Sequence, residues 1–346
     1  MALRDPVSLT EGAVSCQMRS DPVGLSIGPE HKEVIMDYKK FIDEQIADIK
    51  EKVGKEKAVN AVSGGVDSSV TTILGHRALG DKLKTVFIDN ALMRQGEPQR
   101  VVDMFASLGV PVELVDAQEE FLSPLAGLTD PEEKRQAITD TFYSKVFSRI
   151  VKQSGAKFLL HGTILTDIEE TVAGIKRQHN ILAQLGIDPQ QAYGYSVIEP
   201  LKTLRKDDVR EVAKALGLPA KVYQRIPFPG PALATRIVGE VTREKLDTVR
   251  KATAIVEQEL CDSGAFQYLA VLLNDRATGI RNNKREFGQI IVVRCIESTD
   301  ARTATATELS WDKLHRVCER MTAEIPDVSR SLYDLTPKPP ATIEYI

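Results

Sequence analysis

The seven residues Ser63-Gly-Gly-Val-Asp-Ser-Ser69 constrain this chain more than any other stretch. They follow the apolar run Ala58-Val59-Asn60-Ala61-Val62 and precede Val70, Ile73 and Leu74, which recur at helical spacing. The order is therefore a short buried strand, a glycine turn and the polar opening of a helix. Gly64 and Gly65 let backbone N–H groups around Val66 turn inward as an anion nest. Ser63, Ser68 and Ser69 add hydroxyl donors, and the helix N-terminus adds partial positive charge. Such a loop suits a pyrophosphate. It is not a Walker A loop, because no Gly-Lys-Ser/Thr follows and the turn holds no lysine. Asp67 stands there instead, which points to Mg2+ as a mediator of the phosphate contact.

The pattern around the loop predicts an α/β fold. Apolar runs over 58–62, 84–89, 111–115 and 158–162 read as strands. Helical spacing runs from about 32 and again over 98–108, 133–153 and 201–216. Short strands separated by helices predict a doubly wound parallel sheet, with its ligand at the carboxyl ends of the strands. Pro227, Pro229 and Pro231 cannot belong to a helix or a central strand and suggest a domain boundary. We therefore expect an extension over 1–31, a nucleotide-binding domain over 32–228 and a smaller α+β domain over 229–346. In the last, Thr242 caps a helix and strands run over 268–273, 290–296 and 331–335, with a helix over 311–325.

Composition narrows the function classes. The 346 residues are enough for two domains, and a net charge of -4 gives no general attraction to nucleic acid or to an anionic membrane. No apolar stretch reaches transmembrane length. Cys16, Cys261, Cys295 and Cys318 are widely spaced, without a Cys-x-x-Cys pair. They read as reduced thiols of a cytoplasmic protein, not as a zinc site or disulfide framework.

The loop resembles that of the ATP pyrophosphatases, and the chain as a whole resembles the GMP synthetase family. The likeness rests on the loop, Val86-Phe-Ile-Asp-Asn90, Asp130-Pro-Glu-Glu-Lys-Arg135, Ile198-Glu-Pro-Leu201 and Lys206-Asp-Asp-Val-Arg210. It continues through Pro227-Phe-Pro-Gly-Pro231, Arg236-Ile-Val-Gly-Glu240 and Lys338-Pro-Pro-Ala-Thr-Ile-Glu344. The resemblance implies an ATP pyrophosphatase domain (adenine nucleotide alpha hydrolase-like) followed by a dimerisation domain. It implies amination of XMP with ATP and ammonia through an adenylyl intermediate, and a homodimer. Residues 1–31 could not hold a glutaminase domain, so ammonia would come from a glutaminase partner or from solution.

By the same resemblance, Ser63, Gly64, Gly65, Val66, Asp67, Ser68 and Ser69 bind ATP and pyrophosphate, with Asp67 on Mg2+. Ile88 and Gly162 face the adenosine. Lys176 is the implied lid cation, with His179 nearby. Arg135, Pro229, Gly230, Arg285, Lys338, Thr342, Ile343 and Glu344 are the implied XMP contacts.

Departures from the family pattern gather in segments that the resemblance assigns to the lid or to the acceptor nucleotide: Gln136-Ala137-Ile138-Thr139, Arg177-Gln178, Ala232 in place of a glycine, Asn282-Asn283 and the terminal Ile346. Ala232 matters if its backbone needs a positive φ. Two alternatives therefore stay open: a paralogue that adenylylates a different carbonyl acceptor, and a non-catalytic nucleotide-binding protein. A sulfur-transfer enzyme acting on RNA would want a reactive cysteine beside the loop and a basic surface, and the sequence offers neither.

Overall fold

Alternation within the first strands sets the architecture. In β1 (Ala58–Ala61), Ala58 joins one hydrophobic core and Val59 another. In β2 (Leu83–Asp89), Leu83 and Phe87 join the first core, while Val86 and Ile88 join the second. Strands that are apolar on both faces need cover on both faces, as in parallel sheets flanked by helices. The computed structural model, which describes residues 36–172 and 194–346, contains such a sheet. With β3 (Glu113–Asp116), β4 (Phe158–Leu160) and β5 (Ser196–Ile198), its order is β3-β2-β1-β4-β5, parallel throughout. The chain winds outward from β1 to β3, then returns to lay β4 on the other side of β1. That reversal opens a crevice at the carboxyl ends of β1 and β4.

The helices match the sequence pattern with instructive shifts. Asp37 accepts from the backbone N–H groups of Lys39 and Lys40, so the first described helix starts at Tyr38 (Tyr38–Val53). The helix expected over 133–153 begins earlier, because Asp130 caps it and Pro131 occupies its first position. It runs as Pro131–Asp140, then a π-helical stretch Thr141–Phe147, then Ser148–Ser154. The one expected over 201–216 covers only Lys206–Ala215. Leu201 and Leu204 fall at helical spacing but are buried from a turn that precedes it. β5 was not expected; at three residues it is too short to carry an alternation of its own.

The second sheet is mixed. β6 (Gln267–Arg281) and β7 (Lys284–Glu297) form a long antiparallel hairpin, and the other edge of β7 takes β8 (Thr305–Ala306) and β9 (Val328–Tyr333). β9 runs parallel to β7. The hairpin is far longer than its apolar stretches, since its outer half is exposed or half-buried and its sequence lacks the apolar alternation that marks a strand. It turns at Asn282 and Asn283, with φ of 51° and 60°. Asparagine tolerates this left-handed pair better than most residues, so the departure there suits the turn. Helix Arg243–Leu260, capped by Thr242 as expected, packs on β6. One core runs from Val59 and Val86 through Val249 and Val256 of this helix to Ala270, Ile291 and Val293. Asp37–Ile346 accordingly forms one compact unit. Among the described residues, no helix is long and apolar enough to cross a membrane.

Candidate active site

The 63–69 loop leaves β1 at the crevice and enters helix Val66–Leu79. The Ser63 and Ser68 hydroxyls lie 3.0 Å apart, the Ser63 N–H donates to Ser68 Oγ, and Ser68 Oγ donates to the Gly65 carbonyl. The loop is thus tied across itself, with Ser63 exposed and Gly64 buried. Gly64 has φ +78°, and a Cβ there would stand 2.8 Å from Val101 and 2.9 Å from Arg225 Nη1. Glycine is required on both counts. Gly162, at the end of β4, meets the loop from the neighbouring strand. A Cβ on it would sit 3.0–3.1 Å from backbone atoms of Asp67 and Ser68. The two strand ends that frame the crevice are therefore in backbone contact.

Cations surround the loop. Arg225 Nη1 donates to the Gly64 carbonyl at 2.8 Å, and its other nitrogen pairs with the buried Glu97. Burial, reinforced by the nearby Arg94 charge, pulls the Arg225 guanidinium down to about 10, so it stays charged at neutral pH. Lys206 Nζ lies 2.6 Å from Asp67 Oδ2. The second Asp67 oxygen, Oδ1, is buried without a hydrogen-bond partner. Among the described residues no three His, Cys, Asp or Glu side chains cluster as a metal cage. A single carboxylate oxygen with open capacity fits Mg2+, which commonly takes one or two protein carboxylates and completes its shell with phosphate oxygens and water. His161, beside Gly162, shares a 2.7 Å hydrogen bond with Thr163 Oγ1, which donates to Glu199. Burial lowers the imidazole pKa against the opposing pull of Glu199 and Asp167.

The terminal segment is assembled differently. Arg294, 1% exposed, donates to Asp334 and to the carbonyls of Thr336, Thr342 and Ile343. Arg236, also 1% exposed, makes a two-pronged pair with Glu344 at 3.1 and 3.2 Å, and Gln267 donates to the same carboxylate at 2.6 Å. Lys338 donates to the Ala301 carbonyl, and its backbone pairs with Ala304. Ile346 closes a small pocket with Pro131, Lys134, Arg135, Pro231 and Ala234. Lys134, 2% exposed, donates to the Ile237 carbonyl, and burial pulls its ammonium down to about 8. Ala232, within the helical turn Ala232–Arg236, has φ +55°. The family's glycine position is thus left-handed here, and alanine occupies it at a cost of about 1–2 kcal/mol.

The sequence-predicted residues are therefore gathered in two groups. Asp67 and Gly162 meet at the loop, while Ile88 is buried near the end of β2. Arg135 lines the pocket that Pro231 and Ile346 share, close in sequence to Pro229 and Gly230. Thr342, Ile343 and Glu344 are drawn together by Arg294 and Arg236, with Lys338 on the strand-like stretch before them. Arg285 is not gathered with them. It is exposed near the hairpin tip, opposite Ile280, whereas Gln267 pairs with Ile296 at the other end. About 35 Å of strand lies between. Lys176 and His179 lie outside the described residues. Lys206, Arg225, Arg236, Gln267 and Arg294 were not singled out from the sequence. Lys206, Arg225 and Arg236 lie within or beside quoted motifs, but nothing in the sequence shows which partner each one finds.

Comparison with known proteins identifies two family profiles along the chain. The profile of the GMP synthase C terminal domain matches residues 253–345, and that of NAD synthase matches residues 34–150. A protein of Archaeoglobus fulgidus, named as the B subunit of a glutamine-hydrolyzing GMP synthase, is 50% identical over 310 residues, covering 90% of this chain and all of the relative. Its namesakes in Methanocella arvoryzae and Methanopyrus kandleri are 50% and 46% identical over 312 and 319 residues, with the same coverage. With such identity over nine-tenths of its length, this chain belongs to the family of GMP synthase B subunits.

Proposed function

We propose that the chain converts XMP to GMP, using ATP to activate the oxygen on carbon 2 of the purine and ammonia to replace it. The observation that carries this reading is the tied phosphate loop at the sheet's reversal point, on a chain matched over 90% of its length by relatives named as GMP synthase B subunits. In the first step the carbon 2 oxygen attacks the α-phosphorus of ATP, and the bond to the bridging oxygen of pyrophosphate breaks. Ammonia then attacks carbon 2, the carbon–oxygen bond breaks, and AMP leaves with the former purine oxygen. The surplus ammonium proton passes to solvent or a nearby base.

The loop's N–H groups and the Ser63, Ser68 and Ser69 hydroxyls hold the pyrophosphate as it departs, where stabilising developing charge contributes most. Asp67 is the residue that would hold Mg2+, which supplies positive charge to the phosphate oxygens when bound. Ile88 and Gly162 bound the adenosine side. Lys176 serves as lid cation, and Lys206 orients Asp67. Arg135, Pro229, Gly230, Lys338, Thr342, Ile343 and Glu344 receive the XMP. The division of labour is an ATP pyrophosphatase part over 32–228 and an acceptor and dimerisation part over 229–346.

Two partners complete the reading. Ammonia comes from a separate glutaminase chain, as the name of the relatives suggests. A homodimer supplies the remaining XMP contact, Arg285 of the partner subunit. The exposed Ile280 and Phe287, near that arginine on the hairpin, support burial of this face. The expected location is the cytoplasm. The test follows pyrophosphate release with ATP, Mg2+, ammonium and XMP: release should depend on XMP and match GMP formed mole for mole. ATP binding without XMP-dependent release would overturn the assignment.

A further inference from the structure

A continuous line of buried and half-buried contacts, ion pairs and one shared aromatic ring, joins the phosphate loop to the terminal segment. It begins at the Gly64 carbonyl, where Arg225 donates at 2.8 Å, and passes to Glu97, whose side chain is 4% exposed. Glu97 accepts from the Arg94 backbone N–H at 3.2 Å, and its other oxygen lies 3.7 Å from Arg94 Nη1. The Arg94 guanidinium lies 3.9 Å from the centroid of the Phe228 ring. The same ring carries the Arg236 guanidinium at 4.9 Å, and Arg236 grips Glu344. Arg94 is 9% exposed and Arg236 1%, so these charges face little water and each depends on its neighbours for compensation. Glu257, 2.5 Å from Arg94 Nε, supplies the counter-charge that lets two guanidiniums share one ring.

Resting on the function proposed above, we infer that Phe228 and Arg94 are positioning residues that couple the ATP loop to the acceptor segment. A shift of the Gly64 carbonyl moves Arg225 and Glu97, and Arg94 carries it to the ring. The ring transmits it to the arginine that sets the Glu344 carboxylate. Neither Phe228 nor Arg94 need touch ATP or XMP for this. The consequence is reciprocal: bound XMP tightens the binding of ATP, and bound ATP tightens XMP by the same factor.

The experiment measures the dissociation constant of α,β-methylene-ATP with Mg2+, with and without saturating XMP, on the full chain. The unsubstituted protein should bind the analogue about 5- to 150-fold more tightly with XMP present. Phe228→Leu should bring that factor close to one while binding the analogue alone as before. Phe228→Tyr, which keeps the ring, should restore it, an outcome that a purely structural role does not predict. Should Phe228→Leu not fold, Phe228→Tyr must keep the factor and Phe228→His, whose ring holds a cation less well, must lower it. An unchanged factor in Phe228→Leu, or a flat series, overturns the inference. Binding of both ligands without coupling in the unsubstituted protein also overturns it and leaves the proposed function standing. Failure of XMP to bind at all overturns the function as well.

Discussion

Residues 63–69 and the last thirteen residues both fold back onto the body of the chain, but different forces hold them. The phosphate loop is tied by its own backbone and two serine hydroxyls, with Gly64 and Gly162 allowing close backbone approach. Its partners lie mostly within five residues. The terminal segment makes only a few scattered bonds within itself: the Thr336 N–H to the Asp334 carboxylate, the Ala341 N–H to the Pro337 carbonyl and the Thr342 hydroxyl to the Glu344 carbonyl. It is pinned by Arg236 and Arg294, donors that lie 108 and about 40–49 residues away along the chain. A local loop keeps its shape from a short motif. A tethered tail depends on distant charges, each costly to bury unless every bond is made. Substitution should therefore damage chemistry in the first region and architecture in the second.

The sharpest contrast comes from Asp67→Ala. It should reduce XMP-dependent pyrophosphate release by about 1000-fold or more, roughly 4 kcal/mol of transition-state stabilisation. Thermal unfolding should barely move, because Asp67 and Lys206 form a partly exposed pair of small stabilising value. Activity surviving this change would remove Asp67 from the phosphate site. Arg294→Met should do the reverse, costing about 3–5 kcal/mol in urea unfolding by stranding Asp334 and three carbonyls. If its unfolding midpoint is unaltered, the tail is not anchored as described.

Gly162→Ala probes the crevice between these extremes. The added methyl meets backbone on all three contacts, so loop and strand must part by a few tenths of an ångström. The KM for ATP should rise about tenfold, with little change in the KM for XMP, since small misplacements near reacting groups are costly. Equal effects on both would mean that the crevice does not serve ATP alone. Ala232→Gly should have the smallest effect. Relief of the left-handed strain, about 1–2 kcal/mol, is offset by a lost buried methyl and a freer unfolded chain. Calorimetry should show a change within about 1 kcal/mol, whereas a buried alanine with ordinary φ would lose more.

Much of the first region was legible in the sequence, because its determinants are adjacent. The run from Ala58 to Leu74 carries the strand, the glycine turn and the helix opening within one window, and the structure builds them in that order. The parallel sheet followed from apolar runs separated by helices, and Thr242 announced its helix correctly. The hairpin was legible only at its buried base. Its outer half, Asp275 to Arg285, is exposed or half-buried and its sequence has no apolar alternation to read. The extra turn before Lys206 was hidden because Leu201 and Leu204 are spaced as a helix would space them.

What the sequence determined alone is the chemistry available at each motif: an anion-binding loop with one carboxylate, proline-rich punctuation, and cations near the carboxyl-terminal end. Those properties are local, set by φ/ψ freedom, side-chain donors and apolar periodicity. Only the tertiary structure decided which charges meet. Lys206 finds Asp67, Arg225 finds Gly64, Arg236 finds Glu344, and Arg285 stands apart from the Glu344 it was expected to join. Contacts between residues 108 to 161 positions apart leave no periodic trace in a sequence. They are chosen when the sheet order brings strand ends together and burial makes every unpaired charge expensive.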